Sequence, residues 1–318
     1  MTSVRQWATA YFALQGAAVF VWWALLLGAP HSRNWFRMGH SDAILLAFWL
    51  PDAVLMGAGS LVASALCFWN SKLIPITLWG ICGAVCYATL YCLAFAFLTD
   101  TGWLGVTFMC PALVWSGVFA VALSPLRDWM FRTARPSGTR WIVAKTALQI
   151  VVVWTLILFV IPALILQVED KLGVLRVSLT HQKPLSALFF LLISLPGLWS
   201  AWLMSKVGRG TPLPMDAASR LVVIGAYAWV RNPMAISGVG QGIAVALWHG
   251  SPLVLIYAIM GAFVWQVVFR PLEEADLLAK FGADYDHYRR AVPCWTLRTQ
   301  RYRGEMPVPM GDNSVVEM

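Results

Sequence analysis

The sequence predicts an all-α fold, a polytopic transmembrane helical bundle of about eight spans. Of its 318 residues, 59% are hydrophobic and only 12% are charged, and the mean hydropathy is +0.69. Soluble domains carry about 25% charged residues, so this chain has half the usual supply. Several uncharged runs approach or exceed the roughly 18–20 residues that cross a hydrocarbon core. These numbers favour a helical membrane protein.

Eight apolar runs mark the predicted spans. The seventh is short for a full crossing, so we expect it to tilt or to turn within the membrane interface. The eighth follows after His249-Gly-Ser-Pro252, which predicts a hairpin. The predicted spans are about Trp7–Gly28, Ala43–Trp69, Ile74–Leu98, Trp103–Leu123, Ile142–Val168, Leu185–Met204, Ala235–Trp248 and Leu253–Phe269.

Lys and Arg residues are divided unevenly between the loops, and this division predicts the orientation. With the N-terminus placed in the cytoplasm, 18 of the 23 fall in cytoplasmic segments. Membrane proteins carry such an excess on their cytoplasmic side. We therefore predict a multi-pass protein with both termini in the cytoplasm. The five residues on the other side are Arg33, Arg37, Lys171, Arg176 and Lys183.

The net charge of +8 is explained by this topology rather than by a nucleic-acid partner. Nucleic-acid binding would need a basic face on a soluble domain, and the sequence offers no such domain. Membrane lipids are the partners that the composition favours. Cys82 and Cys86 lie four residues apart, but no His or second Cys pair accompanies them, so packing is favoured over a metal site.

Composition marks an internal boundary at Ser124 to Arg140, which contains Arg135-Pro-Ser-Gly138. It predicts an N-terminal four-span membrane region over 1–124 and a C-terminal membrane region over 125–298. The last stretch, 299–318, is basic and contains Pro307 and Pro309 without apolar periodicity. It is predicted to be a mobile tail at the lipid surface.

A polar, tightly turning segment precedes the hairpin. Gly and Pro punctuate 208–216, which excludes a helix there. Arg231-Asn232-Pro233 follows, and Pro233 is well placed to begin the next helix. The free N–H groups of a helix N-terminus favour a carboxylate or phosphate. An ordinary loop, with Arg231 extended towards the interface, explains the same residues equally well.

A charged and aromatic segment follows the hairpin. Arg270, Glu273 and Glu274 lie just beyond the last span, at spacings that make them neighbours on a helix surface. Tyr285 and Tyr288 follow, either as a pocket wall or as part of an interfacial helix. Because a hairpin returns the chain to the side it left, the two polar segments are predicted to meet and to form a C-terminal cytoplasmic pocket.

Together, the two segments resemble the isoprenylcysteine carboxyl methyltransferase family, which belongs with the membrane phospholipid methyltransferases. The resemblance covers about 205–297, and the two blocks are specific as a pair rather than singly. The first block reads Gly225-Ala-Tyr227-Ala-Trp-Val-Arg231-Asn232-Pro233-Met234, and the second contains Glu273-Glu274-Ala-Asp-Leu277, Phe281-Gly282, Tyr285, Tyr288 and Val292-Pro293.

The resemblance implies S-adenosyl-L-methionine as the methyl donor and a lipid-like acceptor that arrives from the bilayer. It places the donor against Tyr227 and against an acid that matches Glu273 or Glu274, and the acceptor against Arg270. Arg270, Glu273 and Glu274 are thus the predicted catalytic residues, and no metal is expected. The other predicted cofactor contacts are Ser219, Arg220, Leu221, Val222, Gly225, Arg231, Asn232, Pro233, Met234, Ala235, Tyr285 and Tyr288.

The sequence departs from the family pattern at Asn232, where His is usual, and at Ala235, where Tyr is frequent. Asn forms hydrogen bonds but does not titrate, so proton transfer there is not expected. No general base is evident, since His287 is interpreted as a surface residue. An acceptor carboxylate, ionised at neutral pH and held by Arg270, therefore fits best. A phospholipid amine and a small thiol are the alternatives.

Asp52 lies within the second span beside Pro51, and an acid inside a membrane is a candidate functional group. It either contacts a polar group of the substrate or pairs within the bundle. Gly238-x-Gly240-x-Gly242 is interpreted as a helix-packing motif, because no strand precedes it. A transporter or a non-catalytic membrane scaffold would also account for eight spans, although no inverted repeat is visible.

Overall fold

The structure is a computed structural model, which describes residues 2–37, 42–125, 137–212 and 216–303. Most of the predicted boundary at Ser124 to Arg140 and most of the predicted tail lie outside these residues. Within the described ranges the chain forms eight long helices. They are α1 (Thr2–Gly28), α2 (Asp42–Phe68), α3 (Ile74–Thr99), α4 (Trp103–Ala122), α5 (Thr139–Leu172), α6 (Gln182–Lys206), α7 (Pro233–His249) and α8 (Pro252–Ala291).

Seven of these helices are long and apolar enough to cross a membrane. The eighth, α7, has 17 residues and is the short span that the sequence predicts. The expected all-α, polytopic fold is therefore confirmed. Many large apolar side chains on these helices are exposed, among them Leu14, Tyr87 and Leu191, which fits helices surrounded by lipid.

The helices form two compact units. Helices α1–α4 lie in the first unit, and α6, α7 and most of α5 and α8 lie in the second. The first unit comprises Met1–Arg127, Gln167–Val174 and Gln266–Leu272, and the second comprises Asp128–Leu166, Leu175–Trp265 and Glu273–Met318.

In the first unit, a close contact joins α1 to α2. A Cβ atom at Gly16 would lie 2.8 Å from the carbonyl oxygen of Gly57, so the small residue is needed for the two backbones to approach. Next to it, Gln15 is buried and donates from Nε2 to Ser60 Oγ at 3.0 Å. Ser116 Oγ donates to Gln15 Oε1 at 3.4 Å, so three helices share this amide.

In the second unit, α6 packs along α7 through small residues. A Cβ atom at Gly240 would overlap Ile193 Cγ1, and one at Gly197 would lie 2.7 Å from Ser237 Cβ. Gln241 Nε2 donates to Ser194 Oγ at 2.7 Å in the same interface. The packing interpretation of the glycine motif is therefore correct at Gly240.

The turn between α7 and α8 follows from its sequence. Gly250 ends α7 with φ +63°, a left-handed conformation that glycine adopts without strain. Ser251 then caps α8, because its Oγ accepts from Val254 N at 3.0 Å. Pro252 occupies the first position of α8, where no intrahelical N–H bond is lost.

Helix α8 changes character along its 40 residues. Pro252–Val264 and the π-helical turn Trp265–Phe269 are apolar, whereas Arg270–Ala291 contains nine charged residues. Only the part up to Phe269 is therefore suited to the hydrocarbon core. The charged part, which includes Glu273 and Tyr285, lies beyond the membrane-spanning segment.

Candidate functional site

The site begins with an extended segment whose side chains alternate between two sides. Val222 packs with Leu203 of α6 and with Tyr227. Its neighbours Leu221 and Val223 pack instead against tyrosines of α8 and Val292. Successive side chains of an extended chain point to opposite faces, so this short stretch lies between α6 and the charged part of α8.

Gly225 turns the chain into a short 3-10 helix, Gly225–Ala228. Its φ is +63°, and a Cβ atom there would overlap Leu203 Cδ1, so both the backbone conformation and the space require glycine. The turn buries the next aromatic residue, Tyr227, which is only 5% exposed.

Hydrogen bonds join this entry segment to the segment after the hairpin. The Tyr288 hydroxyl donates to the carbonyl oxygen of Tyr227 at 2.8 Å, and Arg231 N donates to the carbonyl oxygen of Pro293 at 2.9 Å. Arg231 Nη1 also lies 2.9 Å from Glu274 Oε1, with both side chains largely buried. The two polar segments therefore meet, and Arg231 pairs with α8 rather than extending towards lipid.

Two polar groups in this region have no hydrogen-bond or ion-pair partner among the described residues. They are the buried hydroxyl of Tyr227 and the carboxylate of Glu273. Burial raises the pKa of Glu273 to about 7, and the negative charges of Glu274 and Asp276 add to this effect. Burial and the Glu273 charge raise the pKa of Tyr227 well above its usual range. Both groups are therefore available to a ligand.

The tyrosines of α8 form an aromatic wall beside these groups. Tyr285 and Tyr288 are each 3% exposed, with ring centroids 6.4 Å apart. Burial raises the pKa of both hydroxyls, although Arg231 opposes the shift. Tyr302 extends the wall, since its ring lies 5.5 Å from that of Tyr288. Their burial in a cluster with Leu221 and Val292 argues against an interfacial helix. Their predicted role as a pocket wall stays a prediction.

The first turn of α7 has no side-chain cap. Asn232 occupies the capping position, but its Nδ2 donates to Cys294 Sγ at 3.4 Å. Pro233 follows as the first helical residue, so the next N–H groups belong to Met234 and Ala235. An uncapped helix N-terminus attracts a carboxylate or phosphate.

An apolar cavity of about 400 Å³ extends from this turn into the helices of the second unit. Met234 and Ala235 line it, together with side chains of α5, α6 and the membrane-spanning part of α8. Gln149 Oε1 and Ser237 Oγ are buried without a hydrogen-bond partner among the described residues, and both side chains line the cavity. The cavity thus offers two polar contacts in an apolar enclosure, as ligand sites commonly do.

The structure brings some of the predicted site residues together and leaves others apart. Tyr288 donates to Tyr227, Arg231 pairs with Glu274, and Glu273 acts electrostatically on Tyr227. Leu221 and Val222 pack around this group, while Met234 and Ala235 line the cavity. At the edge, the N–H groups of Ser219 and Arg220 donate to the carbonyl oxygen of Gly208 at 2.9 and 3.2 Å.

Two predicted residues belong to the first unit instead. Arg270 Nη1 donates to Gln266 Oε1 at 3.2 Å, and Asp52 Oδ2 accepts from Trp23 Nε1 at 3.2 Å. Asp52 therefore does pair within its bundle, which is one of the two roles that the sequence left open. The predicted contact of Arg270 with an acceptor stays a prediction.

Sequence reasoning missed the two polar groups of the apolar cavity. Gln149 lies in an apolar helix, as Gln241 does, but its Oε1 has no hydrogen-bond partner in the described chain, whereas Gln241 donates to Ser194. Ser237 lies one turn before Gln241 on α7, and no sequence pattern distinguishes it. The backbone of Pro293 was the other omission, although the family motif reaches Val292-Pro293.

These features define a class: a helical membrane protein in which a cluster of polar and aromatic side chains, built around a hairpin, lies next to an apolar cavity. Residues 182–284 match the family of phospholipid methyltransferases, which are integral membrane methyltransferases. The match begins with α6 and ends in α8 just before Tyr285, so it includes the entry segment, the hairpin and both glutamates. The predicted family resemblance is confirmed over this third of the chain. Comparisons with curated proteins and with solved structures found no match.

Proposed function

We propose that the protein is an S-adenosylmethionine-dependent methyltransferase that acts on a lipid-like acceptor. The family match supports a membrane methyltransferase. The observation that carries the finer proposal is the pair formed by the Tyr227 hydroxyl and the Glu273 carboxylate. Both lie within the matched stretch, act on each other electrostatically and lack a hydrogen-bond partner among the described residues.

The chemistry of these groups fits the methyl donor. Glu273 would hold its amine or its ribose hydroxyls, and the N–H groups of Met234 and Ala235 would hold its carboxylate. The rings of Tyr227, Tyr285 and Tyr288 offer faces for a cation. When bound, S-adenosylmethionine supplies an electrophilic methyl group on a sulfonium centre. The protein's own contribution is then to align the acceptor and to exclude water.

The apolar cavity supports a lipid-like acceptor. It is lined by membrane-spanning helices and extends to Met234 and Ala235, two of the proposed donor contacts. An acceptor body in this cavity would place its polar end near the first turn of α7. The preferred acceptor is a carboxylate, because it needs no deprotonation at neutral pH and Arg270 is the predicted residue to hold it.

An amine acceptor is the second candidate. The matched family is described as phospholipid methyltransferases, which favours an amine head group. Such an amine must lose a proton before it attacks. Glu273, with its pKa near 7, has the proton affinity to accept one. The two candidates therefore differ in what Glu273 does: it holds the donor in one, and it also takes a proton in the other.

Donor binding is tested by isothermal titration calorimetry on the full chain purified in a non-ionic detergent. We expect S-adenosylmethionine to bind the wild type and to bind Glu273→Gln at least about tenfold more weakly, because a charged hydrogen bond is lost. Asp284→Asn is the matched control, since Asp284 is an exposed acid in the same charged segment, beyond the kink at Gly282. Absence of binding to the wild type would rule out the donor and leave the transporter and scaffold interpretations.

Acceptor identity is tested by methyl transfer from radiolabelled donor. A farnesylated cysteine derivative with a free carboxylate and phosphatidylethanolamine are supplied in separate arms, and label in each is measured over a pH series. We expect transfer to the carboxylate, with little pH dependence above neutrality. Transfer to the amine alone would establish the second candidate and contradict the first.

A further inference from the structure

The first unit contains a second cavity, which the proposed methyl transfer does not use. It has a volume of about 560 Å³, is lined by α1–α4 and the loop after α1, and lies outside the family-matched stretch 182–284. Its volume falls within the roughly 300–1,000 Å³ typical of small-molecule sites.

Asp52 is the one charged side chain among the described residues that line this cavity. Its Oδ2 accepts from Trp23 Nε1, and no cation pairs with it in the part of the chain that the structure describes. A carboxylate held inside a membrane without a counter-ion is costly, so such residues usually face a ligand or a partner charge. Asp52 also opens the π-helical turn Asp52–Ala58, a local geometry that is frequent at functional sites.

Aromatic rings form a continuous wall of the same cavity. The ring centroids of Trp22 and Phe36 are 5.6 Å apart, and those of Phe36 and Phe108 are 6.2 Å apart. Trp22 Nε1 is buried without a hydrogen-bond partner among the described residues. Aromatic faces attract cations and are the usual recognition surface for quaternary ammonium groups. A carboxylate and an aromatic wall in one enclosure thus select the same kind of ligand.

We infer that this cavity binds an organic cation with an ammonium head and an apolar body. The head would lie between Asp52 and the aromatic wall, and the body would extend along α1 towards Tyr11. The eleven helical steps from Tyr11 to Trp22 span roughly 16 Å, which suits an alkyl chain. Among the described residues, the cavity lining contains no Lys, Arg or His that would neutralise a phosphate. A free cationic amphiphile therefore fits better than a zwitterionic phospholipid head group.

The test is equilibrium binding of radiolabelled octyltrimethylammonium to the full chain in a non-ionic detergent. We expect saturable binding to the wild type and binding at least about tenfold weaker to Asp52→Asn. The asparagine keeps an oxygen for Trp23, so the bond between α1 and α2 is retained. Phe36→Leu removes the central ring without touching that bond, and we expect it to weaken binding about threefold.

Asp100→Asn is the matched control. Asp100 belongs to the same unit, is paired with Lys171 at 2.9 Å and has a left-handed backbone that asparagine tolerates. This variant is expected to bind the probe as the wild type does.

Equal affinities of wild type and Asp52→Asn would overturn the inference. Equally strong competition by octylphosphocholine would overturn the preference for a free cation, because that probe carries the same head with a phosphate. Octyl glucoside, which has no charge, should not compete.

Discussion

At the scale of single residues, two adjacent glutamates have different surroundings. Glu274 forms an ion pair with Arg231, whereas Glu273 has neither an ion pair nor a hydrogen bond among the described residues. The family motif contains both acids in sequence, so spacing alone could not assign their roles. The structure separates them, because Arg231 forms its ion pair with Glu274. We therefore propose that Glu273 binds the ligand and that Glu274 positions Arg231.

The unusual pKa of Glu273 has a consequence for stability. Its folded-state pKa is about 7, against an ordinary value of 4.5, because burial disfavours the charged form. The folded state therefore binds the proton of Glu273 more tightly than the unfolded state does. This stabilises the fold fully below about pH 4.5, and the stabilisation is lost as the pH rises through 7. The melting temperature of the protein without ligand is therefore expected to include a decline across this window.

Glu273→Gln should remove that decline, because the amide stays neutral at every pH. At pH 8 we expect the variant to melt higher than the wild type, by about 3 °C or more. Thermal unfolding in detergent between pH 4.5 and 8 provides the measurement, with Asp284→Asn as a control that keeps the wild-type slope. An unchanged slope in Glu273→Gln would show that the carboxylate is solvated. A variant that is more stable yet binds the donor weakly would identify a group kept for function at a cost in stability.

At the scale of helices, the contact between α6 and α7 depends on small residues, and Gly240 is one of them. A Cβ atom at Gly240 would overlap Ile193 Cγ1, while one at Gly238 would meet no atom within 4 Å. We expect Gly240→Ala to destabilise the protein by about 1–3 kcal/mol through overpacking. Gly238→Ala should be neutral or slightly stabilising, because alanine favours a helix more than glycine does.

The double variant Gly240→Ala/Ile193→Ala separates overpacking from other effects. It removes the side chain that the new methyl group would strike, so part of the lost stability should return. Thermal melting of the three variants and the wild type in one detergent gives the comparison. If Gly238→Ala and Gly240→Ala prove equally harmful, the packing explanation is wrong, and helix flexibility would be the common cause.

Helices were predicted from the sequence more accurately than the features inside them. The predicted span Trp103–Leu123 corresponds to Trp103–Ala122, and the turn at Gly250 carries explicit signals in Gly, Ser and Pro. The π-helical turns Thr155–Val160 and Trp265–Phe269 have no comparable signal, since packing rather than local propensity decides them.

Hydrogen bonding inside the membrane was equally hard to predict. Gln149 and Gln241 both lie in apolar helices, yet only Gln241 has a serine opposite to which it donates. That difference depends on which helix faces which, and sequence periodicity does not contain this information. The same limit applies to the candidate site. The meeting of its two segments follows from the hairpin, whereas the unpartnered state of Tyr227 and Glu273 depends on the final packing.

At the scale of the whole molecule, the distribution of Lys and Arg predicts the side of the membrane on which each loop lies. Eighteen of the 23 are in segments predicted to be cytoplasmic, including the entry segment and everything after Phe269. The loop from 173 to 181 is predicted to lie on the opposite side. The side matters for function, because a donor made in the cytoplasm must reach Tyr227 and Glu273 from the cytoplasmic face.

Reporter fusions in a bacterial inner membrane test this orientation. A fluorescent protein that folds only in the cytoplasm should fluoresce when fused after residue 318, and alkaline phosphatase should be inactive there. Fused after Thr180, the fluorescent protein should be dark and alkaline phosphatase should be active, because an odd number of spans precedes that position. Reversed signals at both positions would place the candidate site on the outer face. S-adenosylmethionine could not reach it there, so the proposed reaction would fail even if all its residues were correctly assigned.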